Sequence, residues 1–116
     1  MFHSLHIGLN YAGTSNALRG CVNDAMDWAK HFSPILGSNP VVLLEQQADK
    51  ATIISQVKAV LDICKSGDTA IISYSGHGTY IPDQSGDESD RRDEALVPWD
   101  YSRGLLLDDE LKDLLS

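Results

Sequence analysis

Residues 69–78 read TAIISYSGHG. The stretch from Thr69 to Tyr74 has the composition of a buried strand, and it runs into a histidine held between Gly76 and Gly78. Flanking glycines let the backbone approach a ligand closely and adopt dihedrals closed to other residues. An imidazole can take a proton from a thiol or hydroxyl and return it to a leaving group. His77 is therefore the first candidate for chemistry. The alternative is a histidine in a tight turn with a purely local hydrogen bond.

Working outward from this strand, the rest of the chain alternates strand and helix. Leu5, Ile7 and Leu9 alternate until Asn10-Tyr11-Ala12-Gly13 breaks the pattern. From Cys21 to Phe32, the apolar residues Val22, Ala25, Met26, Ala29 and Phe32 return at helical spacing, and Pro34 and Gly37 close the segment. Val41–Leu44 is a second buried strand. Thr52 is placed to cap a second helix with an apolar stripe of Ile53, Ile54, Val57, Val60, Leu61 and Cys64, ended by Lys65-Ser66-Gly67. Ala95–Trp99 is a short candidate fourth strand. The order βαβαβ predicts an α/β fold with a parallel sheet and right-handed crossovers. Functional loops in such sheets gather beyond the carboxyl ends of the strands, so Asn10–Asp24 and the Gly76–Gly78 turn are expected to be neighbours.

The last residues read differently. Leu105, Leu106 and Leu107 lead into Asp108-Asp109-Glu110, a good helix start, followed by an apolar face of Leu111, Leu114 and Leu115. A sheet of three or four strands is small, and the chain reads as unfinished. The third strand is expected to keep an open edge, which favours self-association.

The whole sequence, 116 residues, suits one domain with one core. Its net charge of −8 argues against nucleic acid or an anionic membrane as partner. No apolar run approaches the roughly 20 residues that span a bilayer, and the N-terminus lacks the basic start of a signal peptide. Cys21 and Cys64 without a secretion signal point to reduced thiols and a cytoplasmic protein. Cys21 lies beside Arg19 at a helix start, where a thiol's pKa would fall; the plainer reading is a small buried residue. Cys64 reads as buried apolar surface. Asp24 is either a solvated charge or a partner for a cationic side chain. The spacing of His3, His6 and His31 does not match a zinc site.

Acidic residues concentrate in two places: Asp83, Asp87, Glu88, Asp90, Asp93 and Glu94, and then Asp108, Asp109 and Glu110. Residues 83–94 have the length of an EF-hand loop, but Glu88 stands where that motif requires glycine. Calcium bound through other oxygen ligands and a solvated acidic loop both remain open.

Four blocks together resemble the metacaspases, a family of caspase-like cysteine peptidases: HIGLNYAGTSNALRGCVNDA at 6–25, IISYSGHG at 71–78, GDESDRRDEALVPWDY at 86–101 and LLLDDEL at 105–111. The resemblance implies a caspase-like (Rossmann-like) α/β fold, a mostly parallel sheet flanked by helices, with residues 1–116 forming an incomplete peptidase domain. It implies a calcium-dependent Cys–His endopeptidase that cleaves peptides and proteins after Arg or Lys. By position, His77 matches the general base, Asp24 the acid that receives the basic side chain, and Ser75 and Cys21 the lining of the same pocket. Asp93, Asp108 and Asp109 match carboxylates of the family's calcium site, and the Gly78 amide is placed to hold the oxyanion. The family's nucleophile lies in an Asp-x-Cys-His-Ser-Gly type segment after the LDDEL helix. Neither Cys21 nor Cys64 matches it, so this chain is expected to be inactive without the remainder of a peptidase domain. A non-catalytic caspase-like binding or regulatory module is the alternative.

Overall fold

The computed structural model describes residues 1–82, 92–101, 106–107, 110 and 113, and of 79–82, 92–94 and 107 the backbone alone. Strand β1 (Phe2–Gly8), helix α1 (Cys21–Phe32), strand β2 (Val41–Leu44), helix α2 (Lys50–Ile63) and strand β3 (Thr69–Ser75) follow in order. The strands form a parallel sheet in the order β2-β1-β3, with Leu5 opposite Val41 on one side and Ile72 on the other. The βαβαβ pattern thus builds the expected α/β sheet. Because β1 connects to β2 on one side and pairs with β3 on the other, the strand order reverses between β1 and β3. That reversal opens a crevice at their carboxyl ends.

The two faces of β1 receive different helices. Leu5, Ile7 and Leu9 are buried with Leu43 of β2 and with Ile53, Val57 and Val60 of α2. Alternation sends His6 and the Gly8 position to the opposite face. Helix α1 comes so close there that a Cβ on Gly8 would lie 2.6 Å from the Cys21 carbonyl oxygen and 2.8 Å from Ala25 Cβ. This approach accounts for one departure from the sequence pattern. Only Ala25 and Ala29 of α1 are buried, while Met26 is 53% exposed. A helix this near the sheet has room for methyl groups and not for a wide apolar stripe.

Two further expectations are corrected. Asp49, not Thr52, caps α2: its Oδ1 accepts the Thr52 N–H at 2.7 Å, and hydrogen bonding from the Thr52 side chain, with this backbone bond second, holds the Asp49 carboxyl below its usual pKa. Of the expected fourth strand, Ala95–Trp99, only Ala95 and Leu96 are strand residues, and they belong to a second, antiparallel sheet. Strand β4 (Gly78–Pro82) pairs with β5 (Arg92–Leu96), and β5 pairs with β6 (Leu106–Leu107). Leu106 and Leu107 are therefore strand residues. Of the helix expected after them, Glu110 and Asp113 are helical, and Leu111, Leu114 and Leu115 lie outside the described residues. Among the described residues β3 pairs only with β1, at the edge of its sheet.

The start of α2 is also tied to the segment that follows β5. The Lys50 N–H donates to Asp100 Oδ1 at 2.8 Å, and the Trp99 N–H donates to the Ala48 carbonyl at 2.9 Å. Behind α1, His6 is fully buried with Ser73 at 2.7 Å and Ser4 at 2.9 Å from its two ring nitrogens. Burial pushes its pKa below the ordinary 6.5.

Two measurements check this packing. Gly8→Ala is expected to lose about 1–3 kcal/mol by urea denaturation, because the added methyl meets backbone on α1. For His6, the folded state favours the neutral ring and the unfolded chain binds the extra proton. Stability should fall as pH drops through about 6.5 and level off below the folded-state pKa. His6→Gln should show a shallower fall in melting temperature over the same interval.

Candidate active site

The crevice between β1 and β3 is organised by the loop that leaves β1. Tyr11 adopts a left-handed backbone, with φ of 55°, a conformation that costs energy in a residue other than glycine. Glu45, at the end of β2, holds it there. One carboxylate oxygen accepts the N–H groups of Asn10 at 2.5 Å and Tyr11 at 3.0 Å, and the other accepts Ala12 N–H at 3.0 Å. Three orphan donors of a tight turn are thereby satisfied by one side chain.

The anchored loop then reaches two ways. Asn10 Oδ1 accepts the N–H groups of Cys21 at 2.8 Å and Val22 at 3.2 Å. The first turn of α1 is thus capped by a residue far upstream, since Gly20 has no side chain to do it. This fixes the helix that carries Cys21 and Asp24. Asp24 Oδ2 accepts the Ser75 hydroxyl at 3.1 Å. The resemblance assigned Asp24 and Ser75 to one pocket, and they are in direct contact at the end of β3. Asp24 is exposed, so its remaining lone pairs face solvent. Cys21 is half-buried at the first position of α1 and is a free thiol.

Tyr11 reaches in the other direction, toward His77. Its ring is stacked on the imidazole with centroids 4.9 Å apart. Its hydroxyl accepts the His77 N–H at 3.0 Å and donates to the Val97 carbonyl at 2.6 Å. Tyr74 completes a second arm: its hydroxyl donates to the His77 carbonyl at 2.7 Å and accepts from Val97 N–H at 3.2 Å. Burial, chiefly, raises the pKa of both phenols, most strongly that of Tyr74. Both therefore keep the proton that each has to donate. Gly76 passes between them, where a Cβ would sit 2.8 Å from the Tyr74 oxygen and 3.0 Å from the Tyr11 oxygen.

The imidazole itself has a defined orientation. His77 Nε2 lies 2.7 Å from the Asn16 carbonyl oxygen. A carbonyl can only accept, so Nε2 carries the proton and Nδ1 of the neutral ring holds the free lone pair. Asn16 is fixed in turn: Thr14 Oγ1 accepts its N–H at 3.2 Å, and its side chain donates to the Tyr101 hydroxyl at 3.3 Å. Beyond the ring, Gly78 stands opposite Leu96 in the β4–β5 ladder, while Val97 N–H donates to the His77 carbonyl. That register makes Gly78 a non-hydrogen-bonded position, whose N–H points away from β5.

Not every expected residue converges here. Cys64 is the C-cap of α2 and precedes β3, whereas His77 follows β3. The seven residues of β3 separate the two by roughly 20 Å. Among the described residues no hydrogen bond joins either thiol to His77. Asp93 lies in β5, with only its backbone described, and Asp108 and Asp109 lie outside the described residues. No group of three His, Cys, Asp or Glu suited to a metal occurs among the described residues.

Fold and site define a caspase-like α/β domain with a base-competent histidine at the switch point of a parallel sheet. Residues 3–116 match the family described as metacaspase, peptidase C14 domain. Metacaspase-1 of Yarrowia lipolytica is 36% identical over 123 residues, covering 97% of this chain and 26% of that protein. Metacaspase-1 of Candida glabrata is 35% identical over 122 residues, covering 97% and 31%. The crystal structure of protein GSU0716 from Geobacter sulfurreducens matches with a TM-score of 0.82 at 35% identity, covering 98% of this chain and 44% of that one. The chain belongs to the metacaspase family of caspase-like cysteine peptidases. It spans about a quarter to a third of the length of these curated relatives.

Glu45 is the residue on which this site can be tested most simply. Replacing it with Ala leaves three turn amides without their acceptor and is expected to cost about 2–3 kcal/mol by chemical denaturation. Glu45→Gln keeps one amide oxygen and should fall between the two.

Proposed function

We propose that this chain is the histidine-bearing part of a cysteine endopeptidase that cleaves after Arg or Lys. The observation that carries the reading is the protonated Nε2 on Asn16, which leaves Nδ1 as the free base within the crevice that also holds the Asp24–Ser75 pair. In this reading Asp24 receives the guanidinium or ammonium of the substrate by a charge-assisted hydrogen bond, with Ser75 and Cys21 as neighbours in the pocket. His77 Nδ1 takes the proton of a thiol, and the thiolate sulfur attacks the carbonyl carbon after the basic residue. The Gly78 N–H, directed away from its ladder, stabilises the oxyanion. His77 then passes the proton to the leaving amine, and water, deprotonated by the same nitrogen, hydrolyses the thioester.

The thiol in this scheme is neither Cys21 nor Cys64, so a nucleophile from outside residues 1–116 is required. We assign calcium binding to Asp93, Asp108 and Asp109. Three carboxylates are the hard oxygen donors this cation takes, and β6 ends at Leu107, opposite Ala95 and two residues along β5 from Asp93. Calcium would supply positive charge to an acidic segment that otherwise repels itself. The free thiols and the charge of −8 support a cytoplasmic protein acting on peptides.

The test uses an arginyl fluorogenic peptide. Residues 1–116 alone should not hydrolyse it with or without calcium. A polypeptide that adds the Asp-x-Cys segment should do so with calcium, and His77→Ala should abolish the activity. Asp24→Ala should lower kcat/KM for the arginyl peptide roughly 10–100-fold, the loss of one charged hydrogen bond. Hydrolysis unaffected by His77→Ala would refute the catalytic assignment. No hydrolysis by the extended polypeptide would favour the binding module.

A further inference from the structure

We infer that Tyr11 is the positioning residue of His77, setting both the location of its backbone and the face of its ring. The inference deepens the peptidase reading and rests on it, because the imidazole matters only if Nδ1 is the base.

Three observations carry it. Tyr11 is fully buried, although it lies in a loop and has a left-handed backbone. A strained, buried aromatic persists only where its surroundings over-determine it, and here Glu45 supplies the restraint through the Asn10, Tyr11 and Ala12 N–H groups. Next, a single side chain makes two different contacts with His77: the hydroxyl holds the backbone N–H at 3.0 Å, and the ring lies against the imidazole at 4.9 Å. Last, the Tyr11 carbonyl accepts both the Thr14 N–H at 3.1 Å and the Thr14 hydroxyl at 2.7 Å. Thr14 in turn accepts the N–H of Asn16, whose carbonyl takes the Nε2 proton. Tyr11 therefore fixes the imidazole from both sides, by its own ring and through the turn that presents the Asn16 oxygen.

The consequence is a division of labour within Tyr11. The hydroxyl tethers the main chain of the Gly76–Gly78 turn. The ring leaves the imidazole one stacking orientation, and with it one tautomer. Tyr11 makes no proton transfer itself: its raised pKa and its bond to the Val97 carbonyl keep the phenolic proton in place.

Histidine-selective 15N NMR on the full 116-residue chain at about pH 8 tests this without any hydrolysis. The wild-type His77 ring should show a single Nε2–H tautomer. Tyr11→Leu should give averaged tautomers at His77, with the buried His6 ring unshifted as evidence that the sheet is intact. Tyr11→Phe keeps the stack and removes the tether. It should retain the Nε2–H tautomer while the His77 amide exchanges roughly tenfold faster. A single tautomer in a folded Tyr11→Leu variant would overturn the inference. Should Tyr11→Leu fail to fold, unchanged His77 amide exchange in Tyr11→Phe overturns it instead. Failure of the peptidase reading would appear in the hydrolysis assay and leave these spectra as expected.

Discussion

The carboxylate of Glu45 is the constraint on which the site depends. It sits on the last turn of backbone after β2 and gathers the amides of a loop more than thirty residues earlier in the chain. Without it the Asn10, Tyr11 and Ala12 amides of the turn after β1 would lose their acceptor, at a combined cost of about 2–3 kcal/mol because the site is only partly buried. With it, Asn10 and Tyr11 become rigid adapters. Asn10 starts helix α1 and so sets Asp24 beside Ser75; Tyr11 holds His77. The Asp24 side and the His77 side of the crevice are thereby referenced to one carboxylate.

This arrangement explains why the loops at the switch point between β1 and β3 hold fixed positions. A parallel sheet provides the crevice but leaves its loops free to adopt many conformations. Here the loop after β1 is bonded to the end of β2 through Glu45, to α1 through Asn10, and to the residue that follows β5 through the Tyr11 bond to the Val97 carbonyl. The paired tyrosine hydroxyls replace part of the ladder where the chain leaves the parallel sheet after β3 and enters the antiparallel one at β4. Gly76 is required at that junction because both hydroxyls occupy the space a side chain would need.

Much of the fold was legible in local patterns, and the reason is periodicity. The alternation of Leu5, Ile7 and Leu9 and the stripe of Ile53, Val57 and Val60 are properties of single elements, and both predict the observed core. Asp24 and Ser75, which the resemblance assigns to one pocket, are hydrogen-bonded to each other. What escaped detection was long-range. Nothing in the neighbourhood of Glu45 marks it as an acceptor for residues 10–12, and Asn10 caps a helix from eleven positions away from Cys21. Tyr11 read as the end of a strand, although its place between Asn10 and Gly13 was the available signal of a special backbone. The antiparallel sheet is hard to read from the sequence for a related reason. Its strands are short, and Leu106-Leu107 next to an acidic helix start fits a helix as well as a strand.

We propose that the crevice at the carboxyl ends of β1 and β3 receives a basic side chain beside His77. Titrating the 15N-labelled chain with N-acetyl-arginine amide, against N-acetyl-glutamine amide as control, tests it most directly. Saturable shifts at Cys21, Asp24, Ser75 and the His77 ring are expected for the arginine compound alone. Shifts scattered over the acidic surface, or equal for the two compounds, would contradict it.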